Sequence, residues 1–408
     1  MPTSTPEPAA TGVGRRTVRS LMWSVGSSPV RMGITFVRSV LLANLLAAHV
    51  DLFGEFAAAG SIVVVTSVVA SLGIDGAFLN RTRETADERR AADVLFTLKT
   101  LATLAWAAVL CAGAVLFADG VIRFFLVGLT LTRAVSLFLD TPRVILTRRI
   151  AHRRMAVADV IELVGSASFS VALAVGGATA WALMGGEILA VLISGALLMV
   201  WRPFWRPRFD LDPTIVRYYL GFSRQAVPAR LFMLVTDRLD DLWTRTVLGA
   251  NSLGYYSRAY RFATFPRSFL VGPLSSVVRG AYAELKGDRA RLSATYRAAN
   301  TLLLTSGFLS TGGLILTAPE IVAVLLDPVW QPIVVPFQLM MLFTLTDPLR
   351  LSLVDMLVSL GEPSPVLRSA ALQLAILTVG LALLGPRFGI EGVAVAVVEV
   401  VDVVAVLD

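Results

Sequence analysis

Cysteine occurs once in this chain, at Cys111, and histidine twice, at His49 and His152. A single thiol excludes an intramolecular disulfide framework. Two histidines far apart in sequence, without acidic or thiol neighbours at ligand spacing, give no metal site. Charge is scarce as well: Asp, Glu, Lys and Arg make up 16% of the residues, against 56% that are hydrophobic. Long polar stretches are missing too. No connection between apolar runs exceeds about twenty residues, fewer than the ~40 that an unaided soluble domain needs. Alternating strand-like patterns are absent, so helices must do any spanning. These absences argue against a disulfide scaffold, a metalloenzyme and an aqueous catalytic domain.

What is present is apolar sequence in blocks of spanning length. Mean hydropathy is +0.73, and runs of roughly 18 to 28 residues recur, each able to cross a hydrocarbon core of ~30 Å at ~1.5 Å per residue. The pattern predicts helices over 20–46, 52–75, 94–117, 121–141, 157–176, 179–201, 221–248, 254–283, 292–316, 331–359, 364–384 and 389–407. The fold class is therefore all-α integral membrane, with about twelve transmembrane helices in two six-helix bundles. Residues 1–19, polar and Pro-rich, read as a cytosolic disordered tail before an uncleaved first helix. Lys and Arg in the connections set the orientation, because cytosolic loops retain cations. One side carries 21 of them, and the other carries Arg123, Arg258 and Arg387. Both termini are expected in the cytosol. Dispersal of the arginines through every inner loop accounts for the net charge of +7 and argues against nucleic acid as a partner, which needs one clustered basic face.

Sliding the sequence by 200 positions pairs LAAHVDLFGEFAAA with TVLGANSLGYYSRA. Phe53 then matches Leu253, Gly54 matches Gly254, Phe56 matches Tyr256, Ala59 matches Ala259 and, in the same register, Arg38 matches Arg238. Both copies fall at the outer turn between the first and second helix of a six-helix set, as a two-bundle protein requires. The division that follows is an N-terminal bundle over 20–201, a cytosolic linker over 202–220 and a C-terminal bundle over 221–408. The linker is basic, with prolines and aromatics that suit an interfacial segment.

One predicted span is unlike the rest. The stretch RLFMLVTDRLDDLWTRTVLG carries Arg230, Asp237, Arg238, Asp240, Asp241 and Arg245. At ~100° per residue all of these fall on one arc of the helix. Exposing six charges to lipid would cost on the order of 15 kcal/mol, so the arc must face protein or water, at the seam between bundles. The arc is neutral. It reads either as a self-satisfied packing network, through Asp237 to Asp241, Asp241 to Arg245 and Asp237 to Arg238, or as a coupling or gating network, and both readings stay open. Adjacent acids resist joint ionisation, so coupling to H+ or Na+ is an expectation, with the membrane potential as a further driving force. No other cofactor is expected.

The first helix carries a polar stripe of Ser24, Ser27, Ser28, Arg31, Thr35 and Arg38, with two cations and no acid of its own. Cations facing a cavity suit an anionic cargo, and guanidinium suits phosphate oxygens. Alternatively they pair with acids from another helix, Asp237 or Asp240 included. Asp347, Arg350 and Asp355 form a secondary candidate cluster beside Pro348, where an internal ion pair is the simpler account. Lys99 is expected to snorkel to the cytosol, and Glu187 and Glu391 read as interfacial. Arg258, Arg261, Arg267 and Arg279 spread around the eighth helix without a stripe.

The segment DRLDDLWTRTVLGANSLGYYSRAYRFATFP, the basic inner loop AYAELKGDRARLSATYR, and the outer turns VDLFGEFAAAGSIVVV and APEIVAVLLDPVWQPIVVPFQLM resemble the bacterial polysaccharide flippases. These belong to the superfamily that also holds multidrug exporters and the lipid II flippase. The resemblance runs from about residue 20 to the end. It implies two six-helix bundles arranged as a V in the bacterial plasma membrane, moving undecaprenyl-pyrophosphate-linked oligosaccharide outward by alternating access, with polysaccharide polymerase machinery as a further partner. By the same resemblance Asp240 is the motif acid, and Arg31, Arg38 and Arg238 occupy helices whose cations line the cavity. The sequence stops at VAVAVVEVVDVVAVLD where many relatives continue, which leaves an incomplete last helix as an expectation. Other readings remain. A cation-coupled multidrug exporter needs an acid-dominated cavity, whereas here the first helix is basic. A membrane glycosyltransferase or polymerase needs catalytic acids in a sizeable outer loop, and the outer loops span only about four to fourteen residues.

Overall fold

The computed structural model describes residues 29–80, 88–148, 152–200, 205–265, 289–342 and 363–407, together with Leu353 and Met356. The described residues form helices and turns. The first half holds α1 (29–45), α2 (Val50–Ser71), the short α3 (Asp75–Asn80), α4 (Glu88–Phe117), α5 (Gly120–Arg148), α6 (His152–Val175) and α7 (Thr179–Gly195), the last running on through a π turn at Ala196–Val200. The second half holds α8 (Pro213–Val247), α9 (Ala250–Ala263), α10 (Arg289–Leu316), α11 (Ala318–Leu325), a 3-10 turn over Pro328–Ile333 leading into α12 (334–342), and α13 (Pro363–Leu407). Gly389, at φ 59° and ψ −137°, breaks α13 in two, close to the boundary expected between residues 384 and 389. Seven of the described helices are long and apolar enough to cross a membrane. The charged helix α8 is not among them, although it runs for 35 residues.

The start of α8 is built locally. Pro213 occupies the first turn, where its missing N–H costs nothing, and the Asp212 carboxylate caps the free N–H groups of Thr214 at 2.9 Å and Ile215 at 3.2 Å. The Ile215 N–H holds that carboxyl below the usual carboxylate range, with Thr214 and Arg90 acting in the same direction. The helix thus begins at Pro213, inside the stretch 202–220 read as linker. What remains, 205–212, is tied to α4: Trp205 Nε1 donates to Asp93 at 3.1 Å, the Asp210 N–H donates to Thr97 at 3.0 Å, and Arg90 pairs with Asp210 at 2.8 Å and Asp212 at 3.3 Å. Trp205, Ile215 and Tyr219 complete a separate apolar cluster with Phe78, Leu95 and Ile145 at this end of the protein.

Lys99 corrects one expectation. Its side chain does not snorkel; it is 1% exposed and lies between Asp75 at 3.0 Å and Asp140 at 3.5 Å. The short α3 turns Asp75 inward after Leu72 and Gly73, both at positive φ, so the cation finds acids inside the bundle before it finds water. At the opposite end a second cluster joins the two halves. Trp330 is fully buried, meets Phe53 and Tyr255 edge-on at centroid distances of 5.5 and 5.8 Å, and donates Nε1 to the Ala43 carbonyl at 3.0 Å. Asn44 reaches the same segment, donating to Leu325 O at 2.8 Å and accepting from the Asp327 N–H at 2.7 Å.

Candidate functional site

The seam between the two halves is where α1 and α2 face α8 and α9. Running along the seam from the turn between α1 and α2, Arg245 of α8 donates to Glu55 of α2, with Nε 3.1 Å from Oε2 and Nη2 reaching Oε1. Some 10 Å deeper along α2, at ~1.5 Å per residue, Ser61 donates to Asp241 at 2.7 Å. Arg238 also donates to Asp241, at 3.3 Å. Asp240 accepts from the Tyr256 hydroxyl of α9, whose ring stacks on Tyr260. Both carboxylates are buried, at 7% and 9% exposure, whereas Asp237 and Arg230 on the same helix are exposed.

The charged arc therefore faces the seam, but its bonding differs from the self-satisfied network. Arg238 does pair with Asp241 within the helix. Arg245 pairs across the seam with Glu55 and not with Asp241, one turn back along its own helix. Asp240 meets a hydroxyl instead of a cation. The network is stitched between bundles.

The first-helix cations are corrected too. Arg31 donates to Asp159 of α6 at 3.1 Å, in a group where Arg143 of α5 pairs with Glu162 at 2.8 Å and donates to Ser194 of α7 at 2.7 Å. Arg38 reaches Glu187 of α7 at 3.4 Å. Both cations are compensated by acids of the first half, neither by Asp237 nor by Asp240. Glu187, read from the sequence as interfacial, is thus the partner of a first-helix cation. Gly186 permits this approach, since a Cβ there would press on the Arg38 guanidinium and on Ser170. The secondary candidates Asp347, Arg350 and Asp355 lie outside the described residues.

Two arginines of α9 were missed. Arg258, placed by the sequence in an outer connection, sits inside the helix at 5% exposure, its guanidinium 4.2 Å from the centre of the Phe53 ring. Its Nε has no partner, and among the described residues no carboxylate meets it. Arg261 is exposed, and the charges that act on it are those of Arg38, Glu187 and Arg238. Glu187 and Arg238 are accessible as well, at 40% and 41% exposure. The available signal was the spacing in YYSRAYR, which puts Arg258 and Arg261 one turn apart on one face. Arg38, Arg238, Arg258 and Arg261 thus act on one another near a single acid, Glu187, which Arg38 already engages, beside a carboxylate pair bonded to Ser61, Tyr256 and Arg238. Such an excess of cations attracts anions.

The profile of the polysaccharide biosynthesis protein family matches residues 41–335. The chain belongs to this family. Its sequence is 27% identical over 293 residues to the succinoglycan biosynthesis transport protein ExoT of Rhizobium meliloti (strain 1021), covering 69% of this chain and 57% of that protein. The chain thus spans a little over half the length of this curated relative. Among solved structures, the lipid II flippase MurJ in an inward closed conformation aligns with TM-score 0.76 at 14% identity, over 94% of this chain and 86% of that one. An inward-facing multidrug resistance MATE family transporter of the MOP superfamily aligns with TM-score 0.71 at 15% identity, over 92% of both chains. At such identities the alignments establish the fold. This member of the family is an all-α, multi-pass membrane protein with the fold of these two transporters.

Proposed function

We propose that this protein is a flippase that carries an undecaprenyl-pyrophosphate-linked oligosaccharide across the bacterial plasma membrane by alternating access of its two bundles. The observation that carries the reading is the group of guanidinium side chains: Arg38 on Glu187, Arg261 under the influence of Arg38, Glu187 and Arg238, and Arg258 free of any carboxylate among the described residues. A diphosphate linker bears the complementary charge, and its planar-fork recognition by arginine is favoured where water is sparse. Family membership and the named transport role of the relative point the same way. A multidrug exporter for cationic cargo would gain nothing from that arrangement.

In this reading the halves are residues 20–201 and 221–408, joined by 202–220 on the cytosolic side together with both termini, and polysaccharide polymerase machinery uses the unit delivered. Asp240 and Asp241 form the coupling site for H+ or Na+, or respond to the membrane potential as bundles move apart. Reconstitution tests the proposal. Vesicles containing the folded protein and a labelled lipid-linked oligosaccharide should expose the sugar to a membrane-impermeant glycosidase faster than protein-free vesicles. Equal rates overturn the flippase assignment, and acceleration of lipid II alone would reassign the cargo.

A further inference from the structure

The 200-residue repeat has a physical counterpart at the outer end of the seam. α2 begins at Val50 and α9 at Ala250, the same position in the two copies. These helices cross at Gly54 and Gly254, which the repeat pairs. A Cβ on Gly54 would sit on the Ala250 carbonyl and against the Gly254 N–H, and a Cβ on Gly254 would sit on the Val50 carbonyl. The contact is reciprocal: each glycine occupies the space in front of the other copy's first carbonyl, as residues do about a two-fold axis. Small residues permit this closeness, because backbone meets backbone without side chains between. Phe53 and Leu253, Ala59 and Ala259, also repeat partners, are all fully buried around it.

The inner end is joined differently. There Gly73 would meet the Ala226 methyl at 3.1 Å and Gly76 the Phe222 ring at 3.3 Å, contacts that a side-chain rotation or small shift relieves. A carbonyl cannot rotate away in the same manner, so the outer crossing sets how closely the halves approach. Glu55 and Arg245 flank it as a two-bond ion pair.

We propose that the Gly54 and Gly254 crossing is the outer gate, a reciprocal latch between the two copies of the repeat whose closure depends on the absence of a side chain at both positions. Either glycine acts through the other, so Gly54→Ala and Gly254→Ala open the outer side to a similar extent, and the double variant opens it little further than one alone. Once one Cβ has separated the helices, the second finds room. The proposal rests on alternating access, but it can be read without cargo.

The test uses full-length protein in lipid nanodiscs with Cys111→Ser. Spin labels at the repeat-equivalent, exposed positions Asp51 and Asn251 report the distance across the gate. In parallel, Ala58→Cys, one turn below Gly54 at 1% exposure, reports entry of a membrane-impermeant maleimide. The unsubstituted gate should give a short, narrow distance and slow labelling. Each glycine variant should lengthen and broaden the distance and speed labelling roughly ten-fold, the scale of an overpacked contact, while Gly60→Ala, with open space around its Cβ, should change neither. Native distances in both folded glycine variants overturn the proposal, as does a response from one glycine and not the other. If the glycine variants fail to fold, Glu55→Gln and Arg245→Gln loosen the same crossing, and no change in distance in either overturns it. A responsive distance without transport of the labelled oligosaccharide would fault the cargo assignment and leave the gate standing.

Discussion

Lys99 and Arg258 are both cations withdrawn from water, at 1% and 5% exposure, and they are held in opposite ways. Lys99 belongs to the first bundle and has two acids, Asp75 and Asp140, from separate helices. Arg258 faces the seam, has no acid among the described residues, and rests on the Phe53 ring. A paired buried charge needs its partners to remain folded, whereas an unpaired one costs stability and is retained for another purpose. The same division runs through the molecule. Arg31, Arg143, Asp159 and Glu162 close on one another inside the first bundle, while Arg245 and Asp241 find partners across the seam, Asp240 meets a hydroxyl and Arg238 pairs with Asp241.

The largest effects should separate these two cations. Lys99→Met leaves Asp75 and Asp140 facing each other without a counter-ion and should lower stability by about 3 kcal/mol, at the low end for a broken buried pair because both acids stay partly exposed. Thermal unfolding in detergent reads this as a lower midpoint and reduced yield. Arg258→Met should keep the midpoint within a few degrees and slow oligosaccharide flipping roughly ten-fold, the loss of one charge-assisted hydrogen bond. If Arg258→Met unfolds the protein while Lys99→Met does not, the comparison is reversed and Arg258 is a packing residue.

Asp240 sharpens the comparison from the acid side. The Tyr256 hydroxyl donates to its carboxylate, and Asp240→Asn keeps an oxygen able to accept that bond. A packing role predicts loss of folded protein. A coupling role predicts normal levels with transport that no longer responds to pH or Na+, which is the expected outcome, measured as initial flipping rates with imposed gradients.

Much of this was legible in sequence and the rest was not, for a physical reason. Helix identity, the place of α8 at the seam and the repeat follow from hydropathy and periodicity, which are properties of one segment at a time. The break at Gly389 and the outer segment 318–333 were visible for the same reason. Pairings were not. Arg38 with Glu187, Arg31 with Asp159 and Lys99 with Asp75 join residues from different helices, and only the crossing of those helices decides which acid a cation meets. Arg258 was misplaced because a cation near a turn is ordinarily interfacial, and nothing within α9 indicates that Phe53 of α2 covers it.

The Glu55 and Arg245 pair tests whether seam contacts are breakable by design. With side chains 14% and 31% exposed, the pair is partly screened. A double-mutant cycle over Glu55→Gln and Arg245→Gln should give a coupling of about 1 kcal/mol in the closed protein, well below the effect at Lys99. A coupling several times larger would make this pair as fixed as the first-bundle network and remove the distinction drawn between them.

The smallest effect belongs to Asp212, outside the membrane at the head of α8. Its carboxyl is held below the usual range chiefly by the Ile215 N–H, so its charged form is favoured by folding. The stabilisation is therefore present at pH values above the unfolded carboxylate pKa and is lost as pH falls through the lower folded value, below 3.8. Asp212→Ala should remove the cap at neutral pH and flatten the acid limb of the unfolding profile, while Asp212→Asn, which still accepts from Thr214 and Ile215, should flatten the limb with little loss at neutral pH. The cap is a local contact at the start of one helix, so both changes should be far smaller than that at Lys99. An acid limb unchanged in Asp212→Asn would mean that the linker, and not the cap, holds the start of α8 against the first bundle.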